Sequence, residues 1–410
     1  MSGRTQPAWR RALSPNVLRL GLVSFFADIS SEMLYPLMPL FLTVTLGAPA
    51  SVVGVIEGAA EAIASLLKTL SGRIADRTGR RVELAFGGYL LSALSKPLIA
   101  LARSWPLVLV ARLFDRTGKG FRGAPRDAII ADSTEPDVRG AAFGWHRAMD
   151  TFGAVVGPLV ALGLLSLLSG DIRKVIMLAA IPGVIGAVLV LTVSDPGRRR
   201  RKVAAEERES TPRESGRLRW SQLPGSFRQY LYAWLPFVLV NSSDVFLILR
   251  AEQLGFSTSA VVLVYTAYNL VYALASVPLG RLSDRLGRRQ VLIGGMVVFS
   301  LVYVGFSFAS SPWQIVVLFA VYGLYIAATD GVGKALAVDL VPRELWATSV
   351  GILGTLTGLA TLLASTVAGV LWDTVGPQAP FVFGAVGAFV SAVLFSSLPA
   401  LRGASLPSED

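Results

Sequence analysis

"SGRIADRTGRR", residues 71–81, and "LGRLSDRLGRR", residues 279–289, are two copies of one pattern set 208 positions apart. In each copy a glycine precedes an Asp-Arg pair, and a second glycine leads into two arginines. The residues are Gly72, Asp76, Arg77, Gly79, Arg80 and Arg81, then Gly280, Asp284, Arg285, Gly287, Arg288 and Arg289. The glycines permit a tight turn between two helices, and the arginines hold that turn at a watery membrane surface. A carboxylate at Asp76 can accept from backbone N–H groups at a neighbouring helix N-terminus, worth about 0.3 to 1 kcal/mol when exposed. If that bond forms in one conformation only, it is a latch. Two further echoes support a duplication. "SSE" at Ser30 to Glu32 returns as "SSD" at Ser242 to Asp244, and "TDGVGKALAVDLVPREL" (329–345) stands where "TGKGFRGAPRDAIIADSTEP" (117–136) stands in the first half.

Around these repeats the 410-residue chain is 53% hydrophobic and 16% charged, against about 25% charged in soluble domains. Its mean hydropathy is +0.59. Apolar segments near 17–44, 51–71, 83–103, 106–131, 141–167 and 175–194 are followed by six more near 229–250, 258–279, 290–309, 313–338, 347–371 and 379–398. The expected fold is an all-α membrane protein with twelve transmembrane helices in two six-helix bundles, related by a pseudo-two-fold axis along the membrane normal. The bundles are residues 1–194 and 229–410, with a short cytoplasmic tail, and between them runs a polar linker, 195–228, rich in arginine. Placing that linker and both glycine-arginine loops in the cytoplasm satisfies the positive-inside rule. The chain is then a multi-pass protein of the cytoplasmic (inner) membrane with both termini cytoplasmic. Its N-terminus resembles a signal peptide, but the following apolar segment is too long and carries Asp28 and Glu32, so it reads as an uncleaved first span.

Composition also excludes chemistry. Zero cysteines and a single histidine, His146, argue against disulfides, iron-sulfur clusters and a zinc or haem site. The net charge of +11 sits between apolar spans rather than on a soluble basic face, which argues against nucleic acid. "TGKG" at 117–120 is not a phosphate loop, because Leu113 and Gly120 stand where glycine and Ser or Thr are required. No metal, cofactor or catalytic constellation is expected, and the energy source should be an ion gradient.

With the duplicated signature on the page, the chain resembles the major facilitator superfamily over nearly its whole length. The resemblance implies that Asp76 latches onto the eleventh helix, and gating is assigned to Gly72, Asp76, Arg77, Arg80, Gly280, Asp284, Arg285 and Arg288. Arg112 opens a partial match to the family's fourth-helix signature, implicated in proton coupling. In the fifth span, Gly153, Gly157 and Pro158 match the G-x-x-x-G-P part of the signature of antiporter members, while Ala161 and Leu162 replace its final pair. A helix bend is expected there.

The fourth span raises its own question, because eight formal charges fall between Arg112 and Asp132. At about 100° per residue, Arg112, Asp115, Arg116, Lys119, Arg122, Arg126 and Asp127 share one arc. A charge facing lipid costs at least about 2.5 to 3.5 kcal/mol, so this face must meet partners or water. Residues toward the cytoplasmic end read as salt bridges or gate contacts. The deeper ones read as a site. Proton-coupling candidates are Asp28, Glu32, Glu57, Glu61 and Arg112, with Asp28 and Glu32 first. Substrate-binding candidates are Tyr35, Arg112, Arg116, Lys119, Arg147, Asp150, Asp244, Asn269 and Asp330, with tyrosines including Tyr268, Tyr272, Tyr322 and Tyr325 as a second wall. The leading reading is a proton-coupled carrier exporting a small organic solute, working as a monomer in the lipid bilayer with the solute and protons as partners. The alternative is uptake or exchange of an organic anion. An enzyme lacks a nucleophile-base-metal set here, and a channel needs no duplicated latches.

Overall fold

A computed structural model describes residues 13–135, 138–195, 220–342 and 345–398, without the side chains of Asp76 and Arg77 among a few others. The described residues contain helices and no strand. We number the helices α1 (Pro15–Leu34), α2 (Ala50–Thr78), α3 (Arg81–Leu101), α4 (Trp105–Asp132), α5 (Arg139–Leu167), α6a (Ile172–Leu178) and α6b (Ala180–Val190). Then follow α7a (Gly225–Val238), α7b (Val245–Gln253), α8 (Thr258–Leu286), α9 (Arg288–Phe308), α10 (Pro312–Asp339), α11 (Trp346–Thr374) and α12 (Ala379–Ser397).

Nine helices among the described residues are long and apolar enough to cross a membrane. Three apolar segments fall outside that set for identifiable reasons. Pro36 and Pro39 each lack an N–H, and α1 gives way after Leu34 to a tight turn at Tyr35–Leu37 and a widened turn at Phe41–Thr45. The charged face of α4 holds its apolar content down. The seventh segment, continuous by hydropathy, is interrupted between Val238 and Val245, with Asp244 at the start of its second half.

The described residues pack as two compact units. One takes those of Met1–Tyr35 and Ile63–Gly216, the other Pro36–Ala62 and Arg217–Asp410. In the first unit α3 packs on α4 and α6b, and α1 on α5 and α6b. In the second, α9 packs on α10 and α12, α7a on α12, and α8 on α10. The stretch ending at Ala62 belongs to the second unit through α11. A Cβ at Gly58 would lie 2.7 Å from the Leu362 Cα, and one at Gly369 2.5 Å from the Ser51 Cα, so the helices touch backbone to backbone. Asp373 completes this seam by accepting from the N–H groups of Ala50 (3.1 Å) and Ser51 (2.8 Å) at the α2 N-terminus.

The duplicated signature has the same local form twice. Gly79 (φ 66°) ends α2 and Gly287 (φ 97°) ends α8, in the left-handed region where a side chain is strained. Arg81 at the start of α3 pairs with Asp132 at the end of α4 (2.7 Å), and Arg288 at the start of α9 with Asp339 at the end of α10 (2.9 Å). Each copy therefore ties its loop to the end of the second helix after it, but through the second arginine at Arg81 and the first at Arg288; Arg289, the counterpart of Arg81, donates instead to the carbonyls of Phe395 (2.8 Å) and Ser396 (2.7 Å). Outside the apolar spans, Asp171 caps α6a by accepting from the Lys174 N–H (3.2 Å). That bond and the Lys174 ammonium hold its carboxyl below the usual carboxylate value.

Candidate functional site

The charged face of α4 is brought together by two glycines. A Cβ at Gly88 would lie 2.7 Å from the Gly118 carbonyl oxygen, so α3 and α4 approach closely and set Ser92 and Lys96 against Arg112 and Asp115. Asp115 Oδ1 accepts from Ser92 Oγ (2.5 Å) and Lys96 Nζ (2.9 Å), and Oδ2 accepts from the Arg112 guanidinium (2.9 Å). Lys96, Arg112 and Asp115 are 1%, 2% and 6% exposed. Arg116 is buried, Arg122 lies over the Tyr89 ring at 4.5 Å, and Lys119 is exposed. The sequence placed Asp115 and Arg112 on the charged arc of α4, and Lys96 comes from α3. The pairing of the three is a tertiary fact.

Helix α5 contributes the second cluster. Cβ atoms at Gly153 and Gly157 would lie 2.5 Å from the Phe25 carbonyl and 2.8 Å from the Ile29 carbonyl, with the Asp28 and Glu32 side chains next in line. These glycines let α5 lie directly on the face of α1 that carries both acids. Pro158, inside α5, follows at once. Asp28 faces Asp150 across this seam, with Lys119 and Arg122 near Asp28 and Arg126 and Arg147 near Asp150. Arg147 donates to Asp150 at 3.1 Å. One turn back on α1, Ser24 is bonded to the Nε2 of His146 (2.6 Å) and accepts from Arg126 (3.3 Å), which also holds Asp127 (2.9 Å). In the sequence Arg126 was one member of the charged arc and His146 only the chain's single histidine. The structure buries His146 and joins both to the Asp28 cluster through Ser24, a residue whose type gave no signal.

The second unit presents a different chemistry. Asp244 accepts from Tyr322 (2.7 Å) and Tyr268 (2.9 Å), and Asn241 donates to Tyr325 (3.2 Å). Asp330 accepts from Tyr272 (3.2 Å) and pairs with Lys334 (2.5 Å), while the Asn269 amide donates to its own helix at Tyr265 (3.0 Å). Glu57 is buried and Glu61 half-buried on the part of α2 assigned to this unit. Glu32 and Tyr35 are half-buried at the end of α1.

Of the gating candidates, Arg80, Asp284 and Arg285 are exposed and Arg288 is tied to Asp339. Gly72 lies in ordinary contact with Ala124, and nothing lies within 4 Å of a Cβ at Gly280. The Asp76 and Arg77 side chains lie outside the described residues.

Known proteins agree with this architecture. The sequence profile of the Major Facilitator Superfamily matches residues 20–262 and again 240–409. An uncharacterised MFS-type transporter of Methanocaldococcus jannaschii is 34% identical over 390 residues, covering 94% of this chain and 95% of that protein. A multi-drug resistance efflux pump homologue of Lactococcus lactis is 25% identical over 345 residues, 82% of each chain. The crystal structure of a D-xylose-proton symporter superposes with a TM-score of 0.74 at 18% identity, over 95% of this chain and 98% of that one. Proteins of this family are transporters and not enzymes. By profile and by close sequence likeness along almost its full length, the chain belongs to the major facilitator superfamily.

Proposed function

We propose that the protein is a secondary active transporter that exports a small organic solute across the cytoplasmic membrane by alternating access in exchange for protons. In this reading it is a monomer of twelve spans in two bundles, with both termini cytoplasmic. The observation that carries the coupling is the placement of Asp28 and Asp150 on the α1–α5 seam, where the Asp28 Cβ lies 3.1 Å from a Cβ at Gly153, three residues along α5 from Asp150. Two carboxyl groups placed together repel one another when both are ionised, so the pair is suited to hold and give up a single proton. Four cations surround it, Lys119, Arg122, Arg126 and Arg147. A rearrangement that moves any of them changes which state of the pair is favoured. The seam it occupies is the glycine contact of α1 and α5, which ties proton state to helix packing. Export is supported by the similarity to a multi-drug resistance efflux pump homologue. Gating is assigned to the two glycine-arginine loops, with Asp76 as the latch.

The alternative, uptake or exchange of an organic anion, draws on the buried Arg116 and Arg122. It is weakened at Arg112, because Asp115 already takes that guanidinium and Lys96 as well.

The test is transport in vesicles under imposed pH gradients of either sign, with Asp28→Asn and Asp150→Asn beside the parent. Each variant should lose substrate-driven proton movement and keep exchange of labelled substrate. Normal proton movement in both would remove the pair from the mechanism and shift attention to Glu32, Glu57 and Glu61.

A further inference from the structure

We propose that Asp244, with Tyr268 and Tyr322 around it, is the binding point for an organic cation: a protonated amine on an aromatic or apolar body. This rests on the carrier reading above and adds the charge class of its substrate.

The first observation concerns what Asp244 does not do. It stands at the N-terminal boundary of α7b, where an aspartate usually caps the helix, yet its side chain makes no bond to that helix. Its oxygens turn instead to two phenols, Oδ1 to Tyr322 (2.7 Å) and Oδ2 to Tyr268 (2.9 Å). An ionised carboxylate offers about four lone-pair positions, so two hydroxyl donors leave room for an N–H donor at each oxygen.

The second observation is charge. Among the described residues, the groups that act on Asp244 are tyrosine hydroxyls, and Tyr303 and Tyr325 complete the ring. The nearby cations of the same unit are committed elsewhere. Arg250 on α7b donates to the carbonyls of Phe306 (3.2 Å) and Ala309 (2.9 Å) and to Gln253 (2.7 Å), and Lys334 is bound to Asp330. The contrast with Asp115, which has its own lysine and arginine, is direct. A carboxylate in an apolar setting is costly until a positive charge reaches it.

The third observation is shape. Ring centroids of Tyr268 and Tyr322 lie 5.8 Å apart, Tyr322 and Tyr325 5.1 Å, and Tyr265 and Tyr268 5.1 Å at near right angles. Aromatic faces attract an ammonium and repel an anion. The rings are buried and Asp244 as a residue is half-buried, so an aromatic wall backs the carboxylate. It lies at the break of the seventh segment, at the repeat position that corresponds to Glu32, and broken helices at matching positions of two halves are where carriers hold their substrates.

The experiment uses the purified full-length protein and matched probes: a series of aromatic amines led by 2-phenylethylamine, 3-phenylpropionate as the anion, 2-phenylethanol as the neutral body, and sodium chloride against choline chloride. Thermal unfolding followed by tryptophan fluorescence gives apparent affinities. Amines should stabilise the parent, and Asp244→Asn should weaken them about tenfold or more. Asp244→Glu and the double variant Tyr268→Phe with Tyr322→Phe, which keep the charge, should retain the preference for amines and control for folding. No stabilisation by any amine, equal stabilisation of Asp244→Asn, preference for the propionate, or an effect matched by sodium alone would each overturn the proposal. Counterflow in vesicles separates the two readings. If neutral or anionic solutes exchange while amines do not, the cation site falls and the carrier stands; if no solute counterflows, the carrier reading falls.

Discussion

Asp115→Asn is a substitution of one atom with a large expected cost. In the parent, one buried carboxylate holds two buried cations, with Lys96 and Arg112 each 2.9 Å from it. The asparagine leaves those two cations without an anion between them. Ser92 still offers Lys96 its carbonyl (2.7 Å) and hydroxyl (3.0 Å), so hydrogen bonds survive and the loss is mainly of charge. Removing one member of a buried pair costs about 3 to 5 kcal/mol. At about 2 °C per kcal/mol the apparent melting temperature should fall by roughly 6 to 10 °C. Size-exclusion chromatography after heating is a suitable assay, because a chain without cysteine gives thiol-reactive dyes nothing to report. The triple variant Lys96→Met, Arg112→Met and Asp115→Leu should recover more than half of the loss, since apolar replacements of a complete buried pair or triad are often neutral. A melting temperature within about 1 °C of the parent for Asp115→Asn would refute the reasoning, and would mean that water reaches these three groups.

Gly157→Ala places a methyl group 2.8 Å from the Ile29 carbonyl and should cost about 1 to 3 kcal/mol in thermal stability, whereas Gly163→Ala, with nothing within 4 Å, should be neutral or stabilising; equal stabilities would show that α1 and α5 are not in backbone contact. Asp373→Ala removes both side-chain bonds to the α2 N-terminus, about 1 to 2 kcal/mol, so amide exchange of Ala50 and Ser51 should speed up about 5- to 30-fold; unchanged exchange would remove the cap. Asp171 has its carboxyl depressed by Lys174, so its support of α6a is present above about pH 4 and is lost as pH falls further. Exchange protection at Lys174 should therefore differ between the parent and Asp171→Ala near neutrality and converge toward about pH 2, and a difference that persists at the acid end would contradict the assignment.

What the sequence disclosed and what it withheld divide along a physical line. The duplicated glycine-arginine signature announced two related halves because turn chemistry is local: Gly79 and Gly287 need the left-handed conformation that only their own position determines. Gly153 and Gly157 were legible for the same reason, since small residues at helical spacing mark a close contact whatever the partner is. Asp28 was legible as an acid at a depth where lipid forbids it. Its partner was not, because periodicity records which face a residue is on and not which of several faces comes opposite. Ser24 joined to His146 belongs to the same class, as does Asp373 bonded to Ala50 across 323 positions. The break at Asp244 was hidden because hydropathy sums residues and is blind to backbone turns, so 229–250 read as one span.

The seam between α2 and α11 also sets a timetable for synthesis. The stretch Pro36–Ala62 is made early, yet the backbone it packs against begins at Trp346, 284 positions after Ala62. At about 5 to 20 residues per second, a ribosome needs roughly 14 to 57 s to cover that distance. Through this interval the glycine face at Gly54 and Gly58, with the carboxyl of Glu57 beside it, lacks the α11 backbone on which it closes. The insertion machinery, or the lipid itself, must shelter them. A nascent chain cut before α11 should therefore retain an unsettled second helix even after its first half is complete, and be the form that quality-control proteases remove first.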